Sequence, residues 1–183
     1  MEFPMNDPAV SATSDSAWLQ NVFEQNECRL LHYCTRLVGS LEAAQDVVQD
    51  AFVRLCAQER ARIEPIVTQW LYTVCRNRAL DIMKKENRMN PLSDERAAEC
   101  PSREPDQAAA LERRDDAHSA AQLMEQLPDR QRELIRLKIE GGLSYREMAE
   151  VTGLTVSNVG YLLHMGIKAL RESMQCRIEA ADA

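Results

Sequence analysis

Two groups of charged side chains are the first features of this sequence with the types and spacing to bind a partner. Glu42, Asp46 and Asp50 recur at four-residue steps, so a helix places their carboxylates on one face. That face is either solvated or a docking surface. Residues 63–90 hold five Lys and Arg against three acids, which makes them the most basic stretch of the chain. Phosphate contacts need such cations.

Residues 143–172 have the spacing of a helix-turn-helix. Ser144 and Glu147 form a capping box that begins a short helix, and Gly153 can adopt the positive φ of a tight turn. The second helix begins at Thr155 or Ser157. Its predicted buried stripe consists of Val159, Leu163, Ile167, Leu170 and Met174. The first residues of such a helix face the DNA major groove, and a helical hairpin that binds nothing is the alternative.

Other chemistry is poorly supported. Cys28, His32 and Cys34 are the nearest approach to a metal site, but a fourth ligand is missing, so we predict no metal. The sequence contains no Gly-rich phosphate loop, no paired catalytic carboxylates and no Ser/His/Asp set. We therefore predict no cofactor and no enzymatic activity.

The composition indicates a cytoplasmic protein. The 183 residues carry a net charge of −7, and no stretch approaches the roughly 20 apolar residues of a membrane span, so no membrane insertion is expected. The acids are concentrated in the N-terminal tail and in the middle of the chain. An acidic chain is not expected to coat nucleic acid nonspecifically.

The elements that position these side chains are predicted to be helices, because almost nothing alternates with a period of two. One helix begins near Trp18 and stops at Gly39, a second follows Ser40, and a third runs from about Thr68 to Arg88. Three prolines and many acids between residues 89 and 110 indicate a linker. The expected fold is all-α, with two small helical domains joined by a flexible acidic linker.

Two sequence blocks, in order, resemble a known family. The segment LPDRQRELIRLKIEGGLSYREMAEVTGLTVSNVGYLLHMGIKALRE resembles region 4 of bacterial sigma-70 factors, and AAQDVVQDAFVRL with WLYTVCRNRALDIMKKENR resembles region 2. With no domain between them, the pair resembles the extracytoplasmic-function (ECF) sigma factors. The expected divisions are a disordered tail at 1–15, region 2 at 16–88, a linker at 89–116, region 4 at 117–176 and a C-terminal tail at 177–183.

The resemblance implies a factor that binds core RNA polymerase and directs promoter-specific transcription initiation. In the family, region 2 docks on the clamp helices of the β′ subunit, and the β flap is a second polymerase contact. The positions here that match the docking surface are Asp46, Gln49, Asp50 and Arg54. An anti-sigma factor is a further partner that the resemblance implies.

The resemblance also implies two contacts with promoter DNA. The residues that match the minus-ten contact are Trp70, Arg76, Asn77, Lys84, Lys85 and Arg88, although a core position is favoured for Trp70. Those for the minus-thirty-five element are Arg146, Thr155, Ser157, Asn158, Tyr161, His164 and Lys168. The sequence departs from the family where the second helix has Gly160, Leu162 and Met165 in place of cations, and near Ile66 and Val67, where an aromatic is absent.

One alternative function remains open at this point. An ordinary helix-turn-helix regulator would bind an operator without polymerase, with the first module serving for ligand binding or dimerisation. Such a regulator binds duplex DNA as a purified chain, whereas a sigma factor binds it weakly until polymerase is added.

Overall fold

The computed structural model describes residues 8–89 and 122–181, with side chains over 15–85 and 122–176, and all the regular elements in these ranges are helices. The chain divides into two compact units, one up to Ala98 and one from Glu99. The predicted all-α fold with two helical domains is confirmed. No helix in the described ranges is long and apolar enough to cross a membrane.

The first unit consists of α1 (Pro8–Val38), α2 (Leu41–Cys56), the short α3 (Arg60–Ile63), a 3-10 turn (Glu64–Ile66) and α4 (Val67–Met89). Helix α1 begins at Pro8, within the segment 1–15 that the sequence predicts as a tail. Proline is favoured in the first turn of a helix, where its missing N–H is not needed, and alanines follow it. Between α1 and α2, Gly39 has φ 76° and Ser40 accepts the Ala43 N–H at 3.3 Å, as a helix stop and an N-cap should.

Helices α1, α2 and α4 pack around a shared apolar core. Tyr33 of α1 and Tyr72 of α4 are both fully buried, with ring centroids 5.1 Å apart in an edge-to-face arrangement. Phe23 and Phe52 join α1 to α2 at 4.8 Å. The core fixes the rotation of α2 and α4 and so decides which of their side chains face solvent.

An arginine ties the connection between α2 and α4 back to α1. The Arg60 guanidinium lies 5.4 Å from the centre of the Trp18 ring and donates to Asp15 of α1 at 3.3 Å and to Glu64 at 3.2 Å. Trp18 is half-buried beneath it. The contact holds the start of α3 against the N-terminal half of α1.

The second unit contains a helical segment at 122–125, then α5 (Asp129–Ile139), α6 (Tyr145–Thr152) and α7 (Val156–Ala181). Its core residues include Leu134, Leu137, Met148, Val159 and Leu163. Where α5 meets α7, a Cβ on Gly166 would lie 2.9 Å from Ile135 Cδ1 and 3.3 Å from Gln131 Cβ. The glycine therefore allows a close approach of the two helices.

The turn before α5 is fastened by two arginines. Arg132 donates to the Glu125 carboxylate at 2.6 Å and to the Leu127 carbonyl at 3.0 Å. Arg136, which is buried, donates to the same carboxylate at 3.2 Å. Glu125 is thus held by two cations from successive turns of α5.

The predicted buried stripe of α7 is right at two of its five positions, whereas Leu170 is half-buried and the other two residues are exposed. Val159 and Leu163 are fully buried, but Ile167 is 37% and Met174 is 51% exposed. Helix α7 is about 39 Å long, whereas α5 and α6 are about 16 and 12 Å. The C-terminal half of α7 therefore extends beyond the helices that pack on its first half.

Candidate functional site

The acids of α2 form one exposed helix face. Glu42, Asp46 and Gln49 are exposed, Asp50 is half-buried, and the spacing of three and four residues places all four on the same side of the helix. The opposite side carries the buried alanines, valines and leucine that pack on α1 and α4. Of the predicted docking residues, Arg54 lies at the border of this face.

Asp50 is the best-partnered acid of the face. Its Oδ2 lies 2.9 Å from Arg54 Nη2 on the next turn of α2 and 3.9 Å from Arg78 Nε of α4. All three side chains are at least 39% exposed, so the ion pairs are weak and can exchange partners. The second pair crosses from one helix to another.

Val53 is a surface residue that the sequence patterns did not single out. It is 63% exposed and lies three and four residues after Asp50 and Gln49, in the middle of the acidic face. An exposed branched apolar side chain on a face otherwise made of acids is a signal for a protein contact. The sequence contained this signal, since Val53 falls outside the apolar stripe of α2.

The polar residues of α4 lie on two different sides of the helix. Asn77, Asp81 and Lys84 are exposed and follow one another at steps of four and three residues, so they share a face. Lys85 is exposed beside them, whereas Arg76 is half-buried and points to another side of the helix. The Arg88 side chain lies outside the described residues. The Asp81 carboxylate lies 4.0 Å from Lys84 Nζ.

Trp70 is neither fully buried nor fully exposed. It is half-buried, two turns before Asn77 and on the same side of α4. Ile66, which ends the preceding 3-10 turn, is 45% exposed. The favoured core position of Trp70 is therefore only partly right, and its ring borders the polar face with an exposed apolar residue one turn away.

The helix-turn-helix of the second unit has the geometry that its sequence predicted. The Ser144 N–H donates to Glu147 Oε2 at 2.7 Å, and the Glu147 N–H donates to Ser144 Oγ at 3.3 Å, which completes the capping box. The hydrogen bonds from Ser144 lower the pKa of the Glu147 carboxyl. Gly153 has φ 72° and ends α6 by donating to the Ala149 carbonyl at 2.8 Å.

Helix α7 presents a continuous outward face. Ser157, Tyr161, His164 and Lys168 are all exposed and lie at steps of three and four residues, opposite buried Val159. Thr155 is exposed and its Oγ1 accepts the Asn158 N–H at 3.3 Å, which caps the helix. Asn158 is half-buried at the edge of the face. Arg146 is exposed on α6 and belongs to the other helix of the motif.

Comparisons with known proteins agree with this arrangement. Residues 22–89 match the Sigma-70 region 2 family and residues 118–170 match Sigma-70, region 4. The ECF RNA polymerase sigma factor RpoE of Cereibacter sphaeroides is 30% identical over 133 residues, which cover 73% of this chain and 71% of that protein. The chain belongs to the ECF sigma factors. SigL of Mycobacterium tuberculosis, another ECF sigma factor, is 27% identical over 90% of this chain and 93% of its own.

Solved structures of sigma factors share the fold of this ECF sigma factor. RpoE of Bartonella quintana, solved with the anti-sigma factor NepR, has a TM-score of 0.63 at 22% identity and covers 88% of this chain and 97% of its own. CnrH, solved with the cytosolic domain of CnrY, has a TM-score of 0.58 at 22% identity and covers 92% and 94%.

Membership of the family decides between the two functions left open by the sequence. ECF sigma factors are non-enzymatic transcription initiation factors that bind RNA polymerase and direct it to promoters. The helix-turn-helix is therefore region 4 of a sigma factor, and the operator-binding regulator is set aside.

Proposed function

We propose that the exposed face of α2 is the surface by which this sigma factor docks on the clamp helices of the polymerase β′ subunit. The supporting observation is that Asp46, Gln49 and Asp50 surround the exposed side chain of Val53, with Arg54 at the border. An apolar centre ringed by polar groups is the usual composition of a protein interface. The acids favour a basic partner surface and raise the rate of encounter.

Charge reversal tests this docking surface. Asp46→Arg with Asp50→Arg should abolish binding of the full chain to core polymerase and promoter-directed run-off transcription, because two attractive charges become repulsive. Both side chains reach solvent, so the fold should survive, as thermal melting can verify. Glu24→Arg with Glu27→Arg on the exposed side of α1 is a matched control with the same charge change.

The two outcomes are distinct. Loss of binding in the α2 variant and retention in the α1 variant support the docking surface. Equal binding by both variants, or equal loss in both, overturns the assignment to α2. A Val53→Ser variant adds a second test, since an apolar contact at the centre of the interface predicts weaker polymerase binding without any change of charge.

The polar face of α4 is proposed to hold the separated minus-ten strand. Asn77 is placed to hold an extruded base, with Trp70 as an apolar neighbour, and Lys84 and Lys85 to hold phosphates. Arg76 and Arg88 complete the set of residues that match the family positions. Capturing a base costs a few kcal/mol of stacking, which such contacts must offset.

The outward face of α7 is proposed to enter the major groove of the minus-thirty-five element. Thr155, Ser157, Asn158 and Tyr161 would approach base edges, because the N-terminal residues of the second helix do so in this motif. Arg146, His164 and Lys168 lie at the margins, where phosphates are the nearer partners. The same unit is the proposed contact for the β flap.

An anti-sigma factor is the remaining proposed partner, and the cytoplasm the proposed location. The support is that a sigma factor of the same fold was solved with the anti-sigma factor NepR. The proposed limits of the two working regions are residues 16–88 and 117–176. An anti-sigma protein that covers α2 should compete with core polymerase for this chain, which run-off transcription with increasing amounts of the candidate would detect.

A further inference from the structure

The first half of α7 lacks the cations that usually accompany a DNA-facing helix. Residues 155–167 include no Lys or Arg, and the first cation of the helix is Lys168. Lys168 lies about 16 Å along the helix axis from Ser157, given the rise of 1.5 Å per residue. Its Nζ is also 3.8 Å from Glu172 Oε1. The part of α7 that leads into the groove is therefore neutral.

The exposed side chains of this neutral half are apolar, aromatic or uncharged polar. Val156 is 48% and Tyr161 is 63% exposed, although both are large and apolar in part. Ser157 is exposed between them, and Asn158 is half-buried at the edge. Thr155 is occupied as the cap of the helix, through its Oγ1.

These side chain types correspond to particular bases. In the major groove, Arg or Lys binds guanine through two acceptors, Asn binds adenine through a donor and an acceptor, and apolar side chains contact the thymine methyl group. Val156 is suited to the methyl group and Asn158 to adenine. Residues 155–167 contain no Arg or Lys that could bind both acceptors of guanine. His164 can contact a base through only one ring nitrogen at a time.

We infer that the minus-thirty-five element of this sigma factor is rich in A·T pairs and is recognised in part by contact of Val156 with a thymine methyl group. The inference rests on the proposed placement of α7 in the major groove. The two cations assigned to this interface, Arg146 and Lys168, do not alter it. Arg146 lies on α6, the helix that crosses the DNA backbone in this motif, and Lys168 lies too far along α7 to share the bases beneath Val156.

The first experiment is a selection. Core polymerase loaded with the full chain is used to select from a pool of random DNA duplexes, and the bound duplexes are sequenced. The expected result is a minus-thirty-five element dominated by A·T pairs. An element with invariant G·C pairs at its centre overturns the inference while leaving the proposed function intact, whereas failure to load polymerase or to select any element counts against the proposed function.

The second experiment isolates the methyl group. Each thymine of the selected element is replaced in turn by deoxyuridine, which removes only the methyl group, and the affinity of the loaded polymerase is measured. We expect one replacement to weaken binding about fourfold, the value for one buried carbon group. If every thymine tolerates the replacement, the methyl contact does not exist.

Two variants assign the contact to Val156. In Val156→Ala the penalty for deoxyuridine should disappear, because the methyl group has lost its partner. Met174→Ala is the matched control, since Met174 is 51% exposed at the same angle on α7, five helical turns and about 27 Å further along. It should retain the full penalty. Persistence of the penalty in Val156→Ala overturns the assignment.

Discussion

Two helices are proposed to contact DNA, α4 in the first unit and α7 in the second. Their exposed faces differ in the kind of side chain that they carry. The exposed face of α4 carries Lys84 and Lys85 beside Asn77, whereas the leading half of α7 carries Val156 and Tyr161 and no cation. Both helices are held by a buried apolar stripe on the other side. The two helices therefore differ in the side chains on their exposed sides.

The contrast indicates a division of work between affinity and selectivity. Phosphate contacts supply affinity that falls steeply with salt, and contacts with base edges supply selectivity that depends little on salt. On this basis we expect α4 to be the electrostatic contact of the sigma factor with DNA and α7 to be its sequence-reading contact. Four predictions test how these two helices are held and what they contact.

The largest expected effect comes from removing the support of α7. Leu163 is fully buried and Ile167 is 37% exposed one turn later. Leu163→Ala should lower the free energy of unfolding of the second unit by about 2–5 kcal/mol, and Ile167→Ala by less than about 1 kcal/mol. Urea unfolding of the full chain, followed by helical circular dichroism, measures both. Similar losses at the two positions would contradict the described burial.

The next effect concerns the charge of α4. Lys84→Ala with Lys85→Ala should reduce the salt slope of binding to the minus-ten single strand by about 1.4, and affinity at 0.1 M salt about 25-fold, since each single-strand phosphate contact contributes about 0.7. The loaded polymerase and a labelled oligonucleotide provide the measurement. Arg62→Ala, which removes an exposed cation paired with Glu59 at 2.8 Å, is the control. An unchanged salt slope in the double variant would contradict an electrostatic role for α4.

A smaller effect is expected at Asn77. Asn77→Ala should reduce promoter opening about two- to tenfold, the range for one lost hydrogen bond, and leave polymerase association unchanged. Permanganate footprinting follows opening and a native gel follows association. Asp81→Ala, one turn along the same face, removes a negative charge near Lys84 and should not impair opening. Equal loss of opening and association in Asn77→Ala would exclude a base contact.

The smallest effect is the pH dependence of the α6 cap. The pKa of Glu147 is lowered by its bonds to Ser144, so its stabilisation is complete above the ordinary pKa of 4.5 and is lost as the pH falls through the lowered value. Glu147→Gln should cost about 0.5–1 kcal/mol at pH 7 and much less near pH 3. Unfolding at both pH values is the measurement, with Glu150→Gln on the exposed side of the same helix as control. A cost that does not change with pH would contradict this origin.

The local features of the fold were predictable because they depend on neighbours in sequence. The capping box at Ser144 and Glu147, the turn at Gly153 and the N-cap at Ser40 each involve residues within four positions. In patterns of this kind, both interacting residues lie in the same short segment of sequence. The exposure of the acidic face of α2 followed from the same periodicity.

Features that depend on distant partners were not predictable. The contact of Asp50 with Arg78 joins residues 28 positions apart, and nothing in either segment specifies it. Ile167 and Met174 continue an apolar periodicity, but exposure depends on the lengths of the helices packed against α7. The exposure of Val156 at the start of α7 was equally hidden in the sequence.

The fastening of Glu125 by Arg132 and Arg136 has a mechanical consequence. Both cations belong to α5, so a pull on the chain at residue 122 reaches α5 through these ion pairs as well as through the backbone of the turn. The Arg132 bond to the Leu127 carbonyl adds a further link between the turn and the helix. We therefore expect residues 122–127 and α5 to move together as one rigid segment.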